Sequence, residues 1–357
     1  MRWARFALIA VFALGNGQMA FACGVCIEKH EETVADRILD ADAVVIARES
    51  PERPRTYVPV AYLYGAEGGP AIPFLVDSST RRRLERQPAD GVLMLRTGED
   101  WAHVGYANAA WRMTAARIVE TGPDWQNAPD ARFAFFEELL HAGDQYLRRL
   151  AIDELSRAEY GRIRQMTQPI TGEVARQYLG DRSSIPWHPF FILMIGLSDR
   201  DEDHTYLRER ITVAARVGGG PQLDALATAL VEIDGTDGTD RLVKDWFNAP
   251  GRSRQEIRSV ISALTTHAVH GDPGLKDPVL AALAELSGRR PDVAGSVATA
   301  FWQIGDFTHA EAITSAIKNL PKKQARRIDA AELFAVSSYA YQSRYSGKAS
   351  FDPLVEN

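Results

Sequence analysis

The sequence predicts a multi-domain α+β protein, a small β-barrel followed by an all-α solenoid of helical hairpins. Three observations predict it. Up to about residue 120, short β-branched and aromatic runs alternate with turn residues. Beyond residue 130 the apolar period lengthens to that of helices. Turns carrying Gly and Asp then recur at Asp199, Asp234, Asp272 and Asp306, spacings of 35, 38 and 34 residues. Composition agrees with a globular chain, since 45% of residues are hydrophobic and 25% charged. A net charge of −6 supplies no field to gather nucleic acid or an anionic membrane. Two cysteines in 357 residues exclude a disulfide-dense scaffold, so the core must supply stability.

Residues 1–22 read as a secretory signal peptide. Arg2 and Arg5 give a positive start, Phe6 to Leu14 is apolar, and Ala20-Phe21-Ala22 is a small-x-small cleavage site. Nine residues rise only about 13 Å as a helix, short of a bilayer core of about 30 Å. No later apolar stretch reaches the length of a membrane span. The expectation is an exported protein of the periplasm or cell envelope, with Cys23 at its mature N-terminus.

Residues 23–120 are expected to form the barrel. A helix over 28–39 comes first, because Ile27, Val34, Ile38 and Leu39 lie near one face. Strands follow over 42–49, 57–64, 71–76, 92–96 and 101–106, with Thr97-Gly-Glu-Asp100 as a hairpin turn. Five strands with one helix suggest closure, which removes exposed edges. Residues 121–130, rich in Pro, Gly, Asn and Asp, read as a linker.

The solenoid is expected over 131–345 and a loose tail over 346–357. Phe133, Phe136, Leu139 and Leu140 form one apolar face; Leu147, Leu150, Ala151 and Leu155 trace the next, with Glu154 at its edge. In each turn Gly suits the left-handed residue after a helix, and Asp the cap of the following one. Stacked pairs of this period would bury their apolar stripes on their neighbours.

The stretch from Phe135 to Ala158, FFEELLHAGDQYLRRLAIDELSRA, resembles the HEAT-like repeats. That resemblance implies an α-solenoid used as a scaffold or protein-binding surface, without catalytic residues. The N-terminal part is similar to the netrin-like module, an OB-type barrel known from tissue inhibitors of metalloproteinases. The likeness rests on Cys23 and Cys26, the helix behind them, and Ala41-Asp42-Ala43-Val44-Val45. It departs in cysteine spacing, three apart without distant partners, and so implies no metalloproteinase inhibition.

Cys23-Gly-Val-Cys26 carries the candidate chemistry. A short disulfide is the first reading, because an exported chain meets an oxidising compartment. A redox dithiol is the second, but thioredoxin-like sites follow a β-strand and this pair follows a leader. A Cu or Zn site from Cys23, Cys26 and His30 is the third, with Cys26 and His30 one helical turn apart. A lipid anchor at Cys23 is not favoured, because Ala20 stands where a lipobox carries Leu. A disulfide closing so short a loop removes little unfolded-state entropy, about 1–2 kcal/mol at most. Replacing both cysteines with serine is therefore expected to lower the melting temperature only slightly; global unfolding, or two free thiols in exported protein, would count against the bond.

The remaining motifs have plainer readings. Asp234, Asp237 and Asp240 come every third residue, whereas calcium loops place carboxylates every second, so a capped turn is expected. His267 and His270 share a helix face without a third ligand nearby. Pro321-Lys-Lys-Gln-Ala-Arg-Arg327 reads as a solvated basic face, and Gly218-Gly-Gly220 as a hinge between helices. No catalytic motif emerges, and no cofactor is implied. The expected function is non-enzymatic protein binding or scaffolding, with a protein partner and no nucleic acid. The alternative is a thiol-redox or Cu/Zn-handling accessory acting through Cys23, Cys26 and His30.

Overall fold

The computed structural model describes residues 32–326 and 328–346. The chain is a mixed α+β protein, mostly helical with one antiparallel sheet. Helix α1 (Val34–Leu39) leads into strands β1 (Ala43–Glu49) and β2 (Tyr57–Tyr64). Helix α2 (Ser78–Arg86), strands β3 (Gly91–Thr97) and β4 (Asp100–Ala107), and helix α3 (Ala109–Thr121) complete the first part. Then come α4 (Pro129–Leu139), α5 (Gln145–Leu155), α6 (Tyr160–Ile163), α7 (Gly172–Gly180) and α8 (His188–Gly196). The long helices α9 (Asp201–Val217), α10 (Leu223–Leu242) and α11 (Arg254–His270) follow. Helices α12 (Lys276–Arg289), α13 (Ala294–Ile304), α14 (Ala310–Lys318), α15 (Lys322–Ala325) and α16 (Ala330–Ser346) end the described chain.

The sheet runs β2-β1-β3-β4 and is open, with β2 and β4 as its edges. Closure into a barrel is not made, and the expected strand at 71–76 contributes only an isolated bridge, Leu75 to Thr56. Pro70 and Pro73 explain this, because proline cannot donate to a ladder. Cover on both faces hides the sheet instead. Val44, Ile46, Leu93 and Leu95 pack on Ala35, Ile38, Trp111 and Ile118, while Val45, Val92, Met94 and Trp101 pack on Ile72 and Val76. Burial of both faces is why β1 and β3 read as continuous apolar runs rather than alternations. The hairpin at Thr97-Gly-Glu-Asp100 forms as expected, with Gly98 at φ 59°.

Two helices beyond the expected one belong to this part. Asp77 caps α2 by accepting from the amides of Ser79 and Thr80. Asn108 caps α3, whose buried Trp111, Thr114, Ala115 and Ile118 keep helical spacing. Residues 121–130 are structured as well: Gly122–Gln126 form a 3-10 turn. Its buried Trp125 lies 5.2 and 5.5 Å from the rings of Phe135 and Phe136. One apolar cluster consequently runs from Ala35 on α1 to Tyr339 on α16.

In the helical part, α8 packs on α10, α10 on α11, α11 on α13 and α13 on α16. Helix α9 lies against α8 and α10, α12 against α11 and α13, and α14 against α12, α13 and α16. Phe190 to Gly196 are buried all round α8, as expected for a helix enclosed by others. A Cβ on Gly196 would stand 2.8 Å from the Ala229 Cβ, so glycine sets how closely α8 and α10 approach. The inter-helix turns vary more than their sequences. Asp144 and Asp272 cap as expected, and Gly305 takes the left-handed conformation after α13. Asp234 immediately precedes Gly235, where two helical pieces of α10 meet at a non-helical break as the expected turn requires, and α9 is capped by Arg200 without a side-chain bond. Among the described residues no helix is long and apolar enough to cross a membrane.

Candidate functional site

Cys23, Cys26 and His30, the residues of the expected disulfide, redox or metal site, lie outside the described residues, as do the leader, Arg327 and the tail from 347. The Asp234, Asp237 and Asp240 series sits on helix rather than in an open loop, and Asp234 receives two nitrogens of Arg208, the nearer at 2.6 Å. Among the described residues no group of three or more His, Cys, Asp and Glu is placed to hold a metal ion. The Gly218-Gly219-Gly220 segment joins α9 to α10 with Gly218 and Gly220 at positive φ. It walls an open cavity of about 420 Å³ together with Tyr206, Arg210, Val213 and Leu226.

The more polar site is a second cavity, of about 340 Å³, where α10 breaks. Gly235 adopts φ 57° and ψ −125° inside that helix, a conformation open to glycine at little cost. Backbone polar groups leave the helical ladder at such a kink. Around it stand Arg164, Glu232, Thr236 and Asp272, with the backbone of Gly274 and the side chain of Leu275. Arg164, just past α6, donates from Nε to both oxygens of Glu232 at 2.9 Å. The buried Tyr160 hydroxyl donates to Glu232 Oε2. Asp272 accepts the Gly274 amide at 2.7 Å.

His267 stands behind this cluster, its ring edge-on to Tyr160 at 5.3 Å. Its Nε2 lies 2.8 Å from the Thr228 carbonyl. A carbonyl only accepts, so Nε2 carries the proton and Nδ1 is bare in the neutral ring. Nδ1 is buried without a hydrogen-bond partner, 3.9 Å from Glu232 Oε2. Burial lowers the His267 pKa; the Thr228 bond and the Glu232 charge only partly offset it. Burial likewise raises the Tyr160 phenol, and the Glu232 charge adds to this. The pair of histidines is thus split: His267 is sealed in this network, and His270 is half-exposed beside Gly161.

A depressed histidine pKa stabilises the fold above its unfolded value of 6.5, and that contribution declines as pH falls below it. The wild-type protein is therefore expected to lose stability on acidification from this residue. His267→Phe removes the ionisation along with one hydrogen bond. Its cost should be about 1 kcal/mol at neutral pH and should shrink as pH drops below 6.5. Urea unfolding of both proteins across that range checks this; a constant difference would refute it.

Sequence reasoning missed the polar contacts that join elements. Arg132 on α4 reaches Asp36 on α1 at 2.7 Å and Glu154 on α5 at 2.7 Å. Arg258 on α11 reaches Glu332 on α16 at 2.7 Å, and Ser296 of α13 donates its amide and hydroxyl to the same carboxylate. Asp203, wholly buried, accepts from Ser198 at 2.6 Å and pairs with Arg176. The signal available was a charged residue on an apolar helix face, as with Glu154. Burial pushes the Asp224 carboxyl near the start of α10 up to about 6, against its bond to the Ala225 amide.

No protein-family model, curated protein or solved structure matches this chain.

Proposed function

We propose that this is an exported, non-enzymatic binding or scaffold protein, whose helical part is a HEAT-like solenoid that engages a protein partner. The observation that carries this reading is the succession of α8, α10, α11, α13 and α16, each packed on the next with α9, α12 and α14 alongside. Helices stacked in this way bury their apolar stripes on one another and leave a long ordered surface for recognition. The state of the cavity groups supports the same reading. Glu232, Tyr160 and Arg164 are engaged with one another, and His267 is sealed from solvent. Export rests on the leader at residues 1–22.

Site-specific photo-crosslinking in the cell envelope tests it. Probes replace the exposed Val213 of α9, Trp302 of α13 and Phe334 of α16, with Leu75 of the sheet part as the comparison. The helical positions are expected to capture one common protein that Leu75 does not. Turnover of a substrate by the purified protein, with no crosslinked partner, would overturn the proposal. Mass spectrometry of the exported chain reports in one measurement the cleavage site, any acylation of Cys23 and the redox state of Cys23 and Cys26.

A further inference from the structure

We propose that the cavity at the α10 kink binds a free amino acid, recognising its carboxylate and its ammonium group together. The proposal goes beyond the protein-binding reading above and does not depend on it.

Both signs of charge converge there. Arg164 is held through Nε by Glu232 and its side chain also bonds the Tyr160 hydroxyl; the two terminal nitrogens carry the rest of its donors at the cavity wall. Those nitrogens form the planar fork that matches a carboxylate. Asp272 commits one oxygen to the Gly274 amide, which leaves the other for a cation. Glu232 adds a second negative charge on the same wall. A simple anion at Arg164 would sit beside two carboxylates, and a simple cation at Asp272 would sit beside a guanidinium. A zwitterion meets each with its opposite.

Size and shape agree. A volume of about 340 Å³ corresponds to about ten water-sized groups, the scale of one amino acid. The Thr236 hydroxyl, which can donate or accept, serves either end of the ligand. Val231 and Leu275 give the side chain an apolar wall.

The test uses the full chain and the twenty standard amino acids, with acetate and methylammonium as half-ligands. At least one amino acid should raise the melting temperature and titrate to saturation by calorimetry, while neither half-ligand does so at the same concentration. Asp272→Asn keeps the cap acceptor and removes the charge; it should fold normally and weaken binding about tenfold. Thr236→Val should weaken it less. Absence of binding by every amino acid would overturn the proposal, as would acetate binding as tightly as the best amino acid, or undiminished affinity in Asp272→Asn. Crosslinking from α9, α13 and α16 in the same Asp272→Asn protein should persist, so loss of the amino-acid site and loss of the protein partner are distinguishable.

Discussion

Replacing Arg132 with alanine is expected to lower the free energy of unfolding by about 3–5 kcal/mol, because it strands two carboxylates with no cation. Glu154 is buried and receives both Nε and Nη2 of Arg132, at 2.9 and 2.7 Å. Burial raises the Glu154 pKa even with Arg132 beside it. Burial also pushes Asp36 up, but the Arg132 guanidinium and the Thr33 amide outweigh it and hold that carboxyl below its usual value. The contribution of Asp36 is present above its ordinary pKa and lost as pH falls; that of Glu154 is present below its ordinary pKa and lost as pH rises. Without Arg132 both carboxylates lose their cation, so the cost is greatest at neutral pH and falls as acid protonates them. Urea midpoints at pH 7 and pH 4.5 test this, and a small loss independent of pH would refute it. The arginine also joins α1 to α4 and α5, so α1 should exchange its amides sooner in the variant.

Glu332→Ala is expected to cost a similar amount, about 3–5 kcal/mol, but to act mainly on the last helix. The carboxylate accepts from Arg258 on α11 and from the amide and hydroxyl of Ser296 on α13, all within 3.1 Å. Alanine leaves those donors unpaired where α16 meets both helices. Arg258 is more exposed than Glu332, so an arginine left alone can turn to water, whereas truncating the arginine strands a buried carboxylate and should cost at least as much. Gly295→Ala probes the same joint by shape. Alanine favours a helix over glycine by about 1 kcal/mol, yet a Cβ here would collide with the Glu332 backbone. The collision should win, because backbone cannot move aside as a side-chain tip does. Hydrogen exchange should show α16 losing protection in both variants while β1 and β3 keep theirs; uniform loss across the chain would contradict a local role.

The elements recovered from the sequence share one property, that their signal is local. Strands over 42–49, 57–64, 92–96 and 101–106 came from β-branched runs, and each forms within a residue or two of its expected place. Phe135 to Ala158 holds the helix, turn and helix expected of it, with Asp144 as the cap. Two misses were legible in principle: α3 has helical spacing from Trp111 to Ile118, and Pro70 and Pro73 argue against a strand over 71–76. Of the candidate site, His267 was visible only as half of a weak pair. Tyr160, Arg164 and Glu232 carry no motif, because the contact between them is made across 68 to 72 residues of chain.

The sequence by itself determined the secondary structure, the mixed class and the apolar faces, because periodicity, caps and turn residues act over a few positions. Tertiary structure alone decided that the sheet stays open, covered by α1 and α3 on one face and by Ile72, Phe74 and Val76 on the other. It also decided which charges pair, Arg132 with Asp36 and Glu154, Arg258 with Glu332, and Arg164 with Glu232. The kink at Gly235 and the cavity beside it belong to the same category. A glycine in a sequence permits a positive φ, but that α10 breaks at Gly235, and that Tyr160 of α6 meets Glu232 beside it, is visible only in the folded chain.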